Sequence, residues 1–547
     1  TGACNNSIGY QAMRYNTTGK LNNAIGMSAL YCNTTGCHNT AIGCRSLYNN
    51  TCGCHNFAAG EQALQNNTTV SNNIAIGCIA GMGDAGGATG QCNIAMGRSA
   101  YCSFTCASNN IAIGDSSLAK TTTGGCNTAV GTSSNICNTT GGRNVSLGYQ
   151  TMYYNVSGSN NVAIGCRALM MAPSVVRDIA GSCNNIGIGE MAAQNLATGN
   201  NNIGIGYKAN CGCADGISGN HNIGIGCNAH AALTTGGTNI AIGNAAGGST
   251  TGNASVSIGA CAGSSNQTVG CNIAIGICAG MSHTCGCNNT ALGNQALNAN
   301  TTGNYNTAIG LQALKCNTCG HSNTGIGFRS LLNNTEGEYN TALGFCALNA
   351  NTSGDWNIAI GQNSLKDNTT GKSNIAQGYY AMCNNCTGCY NIALGHQALF
   401  EVECTNNNIG IGFYAGLDIT GSDNVAIGVQ AMKDSTSGSC NVAIGTCAGH
   451  NTTATGSVHI GHQAGYTNTT GVNVGVGLQA LYANTDGTNN VAVGVQALLN
   501  NCTGYQNTAI GHAALQCNTT GLRNTGVGCG ALALNTTGDC NVALGCQ

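Results

Sequence analysis

The sequence predicts an all-β fold, a parallel β-solenoid (β-roll) in which short coils stack along one axis. Three observations carry this prediction: a motif that recurs every 17 residues, a glycine that anchors each copy, and a turn rich in asparagine and threonine. A clean copy occupies residues 306–320 and reads NTAIGLQALKCNTCG. Self-similarity at a fixed period is typical of repeat architectures.

The period predicts the length of one coil. The 17-residue step holds without a break from Gly276 to Gly412, and 32 anchor glycines lie between Gly9 and Gly545. Seventeen residues suit one solenoid coil: a short strand, a glycine bend, a second short strand and an Asn-Thr-Thr-Gly turn. We therefore predict about 32 coils in a single continuous array over residues 1–547. Irregular coils are expected near 78–97, 166–189 and 207–226, where the step is longer.

The residues of each coil have physical reasons. In the turn, glycine adopts positive φ at little cost, and asparagine and threonine side chains bond to their own turn backbone. Stacking places equivalent asparagines above one another, where they can form amide ladders. In the strand, the large residues one and three before the anchor share one face, and alanine or glycine occupies the other. Because small residues permit close approach, we predict that further chains pack there, three around one axis.

Composition excludes several classes of protein. Charged residues are 6% of the 547, the net charge is −2, and there is one proline. A basic nucleic-acid binder needs an excess of Lys and Arg, and a collagen needs abundant proline. No run of 18 apolar residues is present that would span a bilayer. The 36 cysteines indicate an oxidising, extracellular setting.

The repeated Asn-x-Ala-Ile-Gly-x-x-Ala unit resembles the head repeats of YadA-like trimeric autotransporter adhesins. With the added Ala-Leu-x-x-Asn-Thr-Thr-Gly segment, it is similar to repeat arrays in phage and other viral tail fibres. The resemblance implies a homotrimeric, left-handed parallel β-roll in a surface or virion appendage. The sequence departs from the family in its cysteine content. It also begins and ends inside the array, so we expect it to be a segment of a longer protein.

Cysteine is the most unusual feature, and we predict that cysteines form disulfide staples. Some lie one period apart, a step of about 4.8 Å that falls inside the Cα range of a disulfide. Others bracket or lie in one turn. Bridges between chains and cysteine as a filler of small buried slots are the alternatives. The pairs one period apart are Cys37 with Cys54, Cys261 with Cys278, and Cys529 with Cys546; the turn cysteines are Cys32 with Cys37, Cys102 with Cys106, Cys316 with Cys319, and Cys383 with Cys386 and Cys389.

Other chemistry is weaker in the sequence. Cys37-His38 and Cys52-x-Cys54-His55 place two Cys-His pairs one coil apart and offer an alternative zinc site. Paired C-x-x-C spacing is missing, so we predict no metal and no cofactor. Close carboxylate pairs do not recur from coil to coil, which argues against a glycosidase, and we predict no catalytic residues. Asn-x-Ser/Thr sequons are either glycosylation sites or simple turn chemistry. The candidate asparagines are Asn16, Asn33, Asn138, Asn300, Asn368, Asn518 and Asn535.

These inferences predict a non-enzymatic extracellular structural fibre or adhesin, a disulfide-stapled rod on a cell surface or virion. Its expected partner is itself, with a cell-surface receptor or glycan as a candidate ligand and no nucleic acid or membrane span. One alternative is a subunit of a cysteine-crosslinked filament whose rods join end to end. A lower-ranked one is ice binding by threonine columns such as Thr17-Thr18 and Thr34-Thr35. Receptor contacts are expected in the insertion Met170–Ser182, which interrupts the regular wall.

Overall fold

The computed structural model describes residues 2–171, 181–212, 217–248, 251–265 and 270–546. The chain divides into two compact units, Thr1–Cys278 and Ala279–Gln547. Among the described residues every regular element is a β-strand, and no helix of a length and apolar character to cross a membrane is found there. Each unit is a parallel β-solenoid, which confirms the predicted fold class.

Each coil contributes one strand of three or four residues that ends just before its anchor glycine. Within each unit, neighbouring strands pair in parallel and in register, so that Thr307 lies beside Thr324 and Ile309 beside Ile326. Equivalent residues therefore form columns, whose positions are counted from the anchor glycine, negative toward the N-terminus. Stacked rings in neighbouring coils have centroids 4.9 Å apart in one such column, which is the spacing of paired strands.

The strands of the first unit are β1 Asn6–Ile8, β2 Asn23–Ile25, β3 Thr40–Ile42, β4 Phe57–Ala59, β5 Ile74–Ile76, β6 Ile94–Met96, β7 Ile111–Ile113, β8 Thr128–Val130, β9 Val145–Leu147, β10 Val162–Ile164, β11 Ile186–Ile188, β12 Ile203–Ile205, β13 Ile223–Ile225, β14 Ile240–Ile242, β15 Val256–Ile258 and β16 Ile273–Ile275. Those of the second unit are β17 Thr290–Leu292, β18 Thr307–Ile309, β19 Thr324–Ile326, β20 Thr341–Leu343, β21 Ile358–Ile360, β22 Ile375–Gln377, β23 Ile392–Leu394, β24 Ile409–Ile411, β25 Val425–Ile427, β26 Val442–Ile444, β27 Val458–Ile460, β28 Asn473–Val476, β29 Asn490–Val493, β30 Thr508–Ile510, β31 Thr525–Val527 and β32 Val542–Leu544.

Three longer steps between strands occur in the first unit. They separate β5 from β6, β10 from β11, and β12 from β13, and in each case the two strands still pair in register. The extra residues fall in the three segments for which the sequence predicted irregular coils. A longer step between two strands thus leaves their register unchanged.

The core of each coil is thin and is filled by a single chain. In the coil of Gly310, the residues at −2, +3 and +4 are Ala308, Ala313 and Leu314, and all three are fully buried. The small strand face therefore packs against the Ala-Leu segment of its own coil. The prediction from sequence that further chains pack against the alanine face is wrong, because that face is already covered by its own coil. The large residues at −3 and −1 point outward.

The Ala-Leu segment is not the second strand that the sequence predicted. Gln312 and Leu314 have φ angles of 60° and 50°, in the left-handed region. The backbone N–H of Gln312 donates to Asn294 in the preceding coil, whereas that of Leu314 donates to Ser330 in the following one. The alternation of backbone conformation thus ties each coil to both of its neighbours without a second β-ladder.

Two buried asparagine ladders run along the stack. At +7, Nδ2 of Asn334 donates to Oδ1 of Asn317 at 2.7 Å and to the carbonyl of Gly337 at 2.9 Å. At −4, the backbone N–H of Asn340 donates to Oδ1 of Asn323 at 2.9 Å. Because an unpaired buried amide is costly, each ladder residue favours another asparagine directly above it.

Glycine has two different roles in the coil. All 32 anchor glycines have φ between 122° and 146°, a region that other residues rarely adopt. The turn glycine at +10 does not have positive φ, so the reason given for it from the sequence is wrong. Its reason is space, because a Cβ on Gly337 would lie 2.5 Å from both Oδ1 of Asn334 and the carbonyl oxygen of Gly354.

Candidate functional site

The candidate functional site is the outward face of the strands, formed by the columns at −3 and −1 and called the sheet face below. Along all 32 strands these two columns carry isoleucine, valine, leucine, threonine and a few other uncharged residues, and no charged one. Many are well exposed: Leu343 by 45%, Ile510 by 41% and Ile358 by 37%. Within each unit these residues form an exposed apolar surface, a feature typical of interaction sites.

The border of the sheet face differs in character. The +1 column on one side carries charged residues in some coils, among them Glu61, Arg98 and Asp115. In some coils of the second unit the same column is aromatic, with Phe328 stacked on Phe345 at 4.9 Å between ring centroids. The absence of charge is therefore a property of the two strand columns and does not extend to every outward side chain.

No disulfide is present among the cysteines of the described residues, and Cys383 alone among them is buried. The alternative that cysteine fills small buried slots therefore fits only Cys383. The other candidates lie on the wall or in its turns, half-buried or exposed: Cys32, Cys37, Cys54, Cys102, Cys106, Cys261, Cys278, Cys316, Cys319, Cys386, Cys389, Cys529 and Cys546. Disulfide formation stays a prediction.

The structure brings some of the predicted pairs together. Cys261 and Cys278 occupy the same column, and their thiols interact; burial, with the neighbouring Cys261 thiol, raises the pKa of Cys278. Cys37 donates its backbone N–H to Sγ of Cys54 at 3.1 Å. These two pairs therefore lie in contact between adjacent coils.

The sequence reasoning missed a second role for cysteine at +11. In this column the side chain accepts the backbone N–H of the equivalent residue one coil earlier, as Cys389 does from Lys372 at 3.3 Å. Other coils use Ser71 or Asp355 for the same bond. The recurrence of cysteine, serine, asparagine and aspartate in many coils of this column was the available signal.

We expect Cys383 to be the slowest candidate thiol to alkylate in the folded protein. Burial is the main cause that raises its pKa to about 11 from 9, which leaves about a hundredfold less thiolate at pH 8. The measurement is site-resolved mass spectrometry after brief iodoacetamide treatment of the reduced, native protein, with exposed Cys386 as the internal control. Equal labelling of the two sites would contradict the burial of Cys383.

The structure places most candidate glycosylation sites in the core. Five of them belong to the +7 ladder and are fully buried: Asn33, Asn138, Asn300, Asn368 and Asn518. Nδ2 of Asn368, for example, donates to Asn351 at 2.9 Å. A glycan at these positions would require the ladder bond to break. Asn16 and Asn535 are only half-buried.

Histidines occupy two kinds of position. His38 and His55 stack on the wall with centroids 4.8 Å apart. His230, His283 and His459 are instead buried in the core, where desolvation lowers the pKa of each to about 4. Within the described ranges, no cluster of three or more His, Cys, Asp or Glu side chains is placed to share a metal ion.

Two further predicted features are now located. The threonine column at +8 is engaged in the stack, since Oγ1 of Thr34 donates to the carbonyl of Thr51 at 3.0 Å. Most of the insertion Met170–Ser182, with Pro173, lies outside the described residues.

No protein-family model matches the chain, and no curated protein matches it. Its class is therefore defined by the fold: a parallel β-solenoid repeat protein with one strand per coil and, in each unit, an uncharged outer sheet face.

Proposed function

We propose that the chain is a structural segment of an extracellular fibre or adhesin, in which three copies pack through the sheet face around a common axis. The observation that carries this proposal is the sheet face itself: two outward columns without a charged residue in 32 strands. A lone soluble solenoid gains nothing from leaving isoleucine and leucine exposed in register.

A second copy of the same chain is the occupant that fits this surface best. The columns repeat the same residue types coil after coil, so two identical faces present matching ridges at a matching interval. The absence of charge removes the repulsion that like faces would otherwise create. The resemblance to trimeric adhesin heads and viral tail fibres supports three copies and a location on a cell surface or virion.

Cysteine staples would reinforce such a fibre. Cys261 with Cys278 and Cys37 with Cys54 are the pairs placed best for bridges between coils within one chain. Exposed turn cysteines such as Cys106 and Cys386 are more suited to bridges between chains. The crosslinked end-to-end filament is the second candidate, and it rests on these exposed thiols. Ice binding is less well supported, because the +8 hydroxyls bond to the backbone.

The native mass tests the proposal. Light scattering of the purified chain is expected to give three times 54.6 kDa, both with and without reductant. A trimer that dissociates on reduction would place the bridges between chains. Large species that reductant disperses would favour the filament, and a monomer in both conditions would overturn self-assembly.

Charge on the sheet face is expected to dissociate the trimer. The variant carries Leu292→Asp, Leu343→Asp and Ile510→Asp, three exposed −1 residues in well-separated coils of the second unit. Burying unpaired aspartates between copies costs several kcal/mol, so the mass should fall toward 54.6 kDa while the far-ultraviolet circular dichroism is unchanged.

The matched control carries three aspartates at exposed turn positions: Thr302→Asp, Thr370→Asp and Thr520→Asp. The chain already has Glu336 and Asp486 at this position, +9, so the control should keep the wild-type mass. Equal effects of the two variants, or a face variant that stays trimeric, would show that the sheet face is not the interface.

A further inference from the structure

The second unit carries a column of exposed aromatic residues at −5, just before the strands. Its members are Tyr305, Tyr339, Trp356 and Tyr390, called the aromatic column below, and they are exposed by 63%, 51%, 57% and 63%. Trp356 is the single tryptophan of the chain. Elsewhere in the same column the second unit has residues without an aromatic ring, among them Ser322, Asn407 and Arg523.

The fold gives no reason for aromatic rings at this position. Tyr305, Tyr339, Trp356 and Tyr390 have φ between 55° and 60°, a conformation in which bulky residues are unusual and asparagine is favoured. Their rings are more than half exposed, so burial does not compensate for the backbone conformation. The residue choice therefore indicates a role in binding and not in stability.

The rings form two pairs with the same interval. Tyr305 and Tyr339 are two coils apart, as are Trp356 and Tyr390, and two coils span about 10 Å. Tyr339 and Trp356, in adjacent coils, are parallel within 11°, with centroids 6.0 Å apart. The aromatic column thus consists of two ring pairs that meet at Tyr339 and Trp356, and one serine lies between the two rings of each pair.

Polar side chains border the rings along the neighbouring column. Glu338, Asp355 and Lys372 each directly precede a residue of the −5 column. Asp355 is fixed in place: it accepts from the Lys372 ammonium at 2.7 Å and from the backbone N–H of Glu338 at 3.0 Å. Hydrogen-bonding groups of both kinds therefore lie beside exposed apolar rings.

We propose that the aromatic column binds an extended β-linked polysaccharide that lies along the coil stack. A pyranose ring has an apolar face for an aromatic ring and a rim of hydroxyls for carboxylates, amides and ammonium groups. In an extended β-1,4-linked chain alternate sugars present the same face, at an interval close to two coils. Stacked bases of a nucleic acid are disfavoured, because the neighbouring column carries two carboxylates and one lysine.

This inference deepens the proposed adhesin role and rests on it for its biological setting. The test is a fluorescence titration of the full chain, in which Trp356 is the only indole and lies at the site. Cellohexaose and chitohexaose are the probes, with cellobiose and the helical α-linked maltohexaose as comparisons. We expect a saturable change with at least one β-linked hexaose, and affinity at least tenfold lower for cellobiose and maltohexaose.

Variants locate the binding. Tyr339→Ala should weaken hexaose binding by about fivefold to tenfold, as expected for one aromatic contact, and Tyr149→Ala, an exposed tyrosine of the first unit, should leave it unchanged. Absence of a saturable change with both hexaoses at millimolar concentration, or equal binding by Tyr339→Ala and the wild type, would overturn the proposal. So would a change in native mass on Tyr339→Ala, since the rings would then belong to the interface between copies. A monomeric wild type that still binds hexaose would instead contradict the trimeric fibre alone.

Discussion

Alanine in place of Gly344 is expected to destabilise the second unit by about 4 kcal/mol, a large effect for removal of no contact at all. The φ angle of Gly344 is 146°, and a Cβ there would lie 2.5 Å from the carbonyl oxygen of Gly361 and 2.7 Å from its carbonyl carbon. Both atoms belong to the backbone of the next coil, which is held in turn by the coil beyond it. The strain therefore has no flexible side chain through which to relax.

The measurement is urea denaturation followed by circular dichroism, with hydrogen exchange to locate the defect. Because each coil contacts only its neighbours, faster exchange should be confined to coils near Gly344. Gly86→Ala is the matched control, since a Cβ at Gly86 meets nothing within 4 Å and its φ is not positive. A loss below about 1 kcal/mol for Gly344→Ala would show that the anchor conformation is dispensable.

The same glycine explains how much of the fold could be predicted from sequence. Its recurrence gave the coil length, the number of strands and the in-register stack, because every coil has a glycine of the same positive φ at the same position. The asparagine columns were equally readable, since a buried amide in one coil requires a partner in the next. Periodicity in the sequence therefore predicts the structure well where equivalent residues of successive coils contact one another.

The interior of the coil was less predictable, for a physical reason. Alternation in a strand shows which residues share a face but not which face is inside. Leu314 beside Ala313 was interpreted as a second strand, yet positive φ at Gln312 and Leu314 places both of the adjacent Ala and Leu side chains in the core. Left-handed conformation at leucine has no sequence signal, because glycine and asparagine are the residues from which it is usually inferred.

The candidate sites show the same limit. The sequence identified the two strand columns that share a face but did not show that this face points outward, and it assigned the contact between chains to the alanine side. The four rings of the aromatic column all lie at −5. Comparison of this one position across the coils would have identified them. The hydrogen bond accepted by cysteine, serine or aspartate at +11 was not predicted, because these three residues are usually considered for different chemistry.

Acid is expected to weaken the second unit through His459, which stands at −2 where other coils have alanine, glycine or serine. The ring is 1% exposed, and neither of its nitrogens has a hydrogen-bond partner. Gly465, at the position of the usual leucine, leaves the space that the ring fills, since a Cβ there would overlap the imidazole. Burial lowers the pKa of His459 from 6.5 to about 4.

The direction of the pH effect follows from which state of the chain binds the proton. Between pH 6.5 and 4 the unfolded chain binds a proton at His459 that the folded chain does not, so the free energy of unfolding falls as pH falls through this window. The loss is about 2 kcal/mol at pH 5 and approaches 3 kcal/mol below pH 4.

The repair variant His459→Ala with Gly465→Leu restores the Ala-Leu pair of other coils, as at Ala342 and Leu348. Urea midpoints at pH 7.5 and 5.0 should show a smaller acid loss in the repair variant than in the wild type, while His283, buried in the same unit, retains its own share. An identical pH dependence in the two proteins would mean that the His459 imidazole has a hydrogen-bond partner or water in solution. Stability depends on the protonation of His459 only if the folded core of alanine and glycine keeps its ring neutral and without solvent.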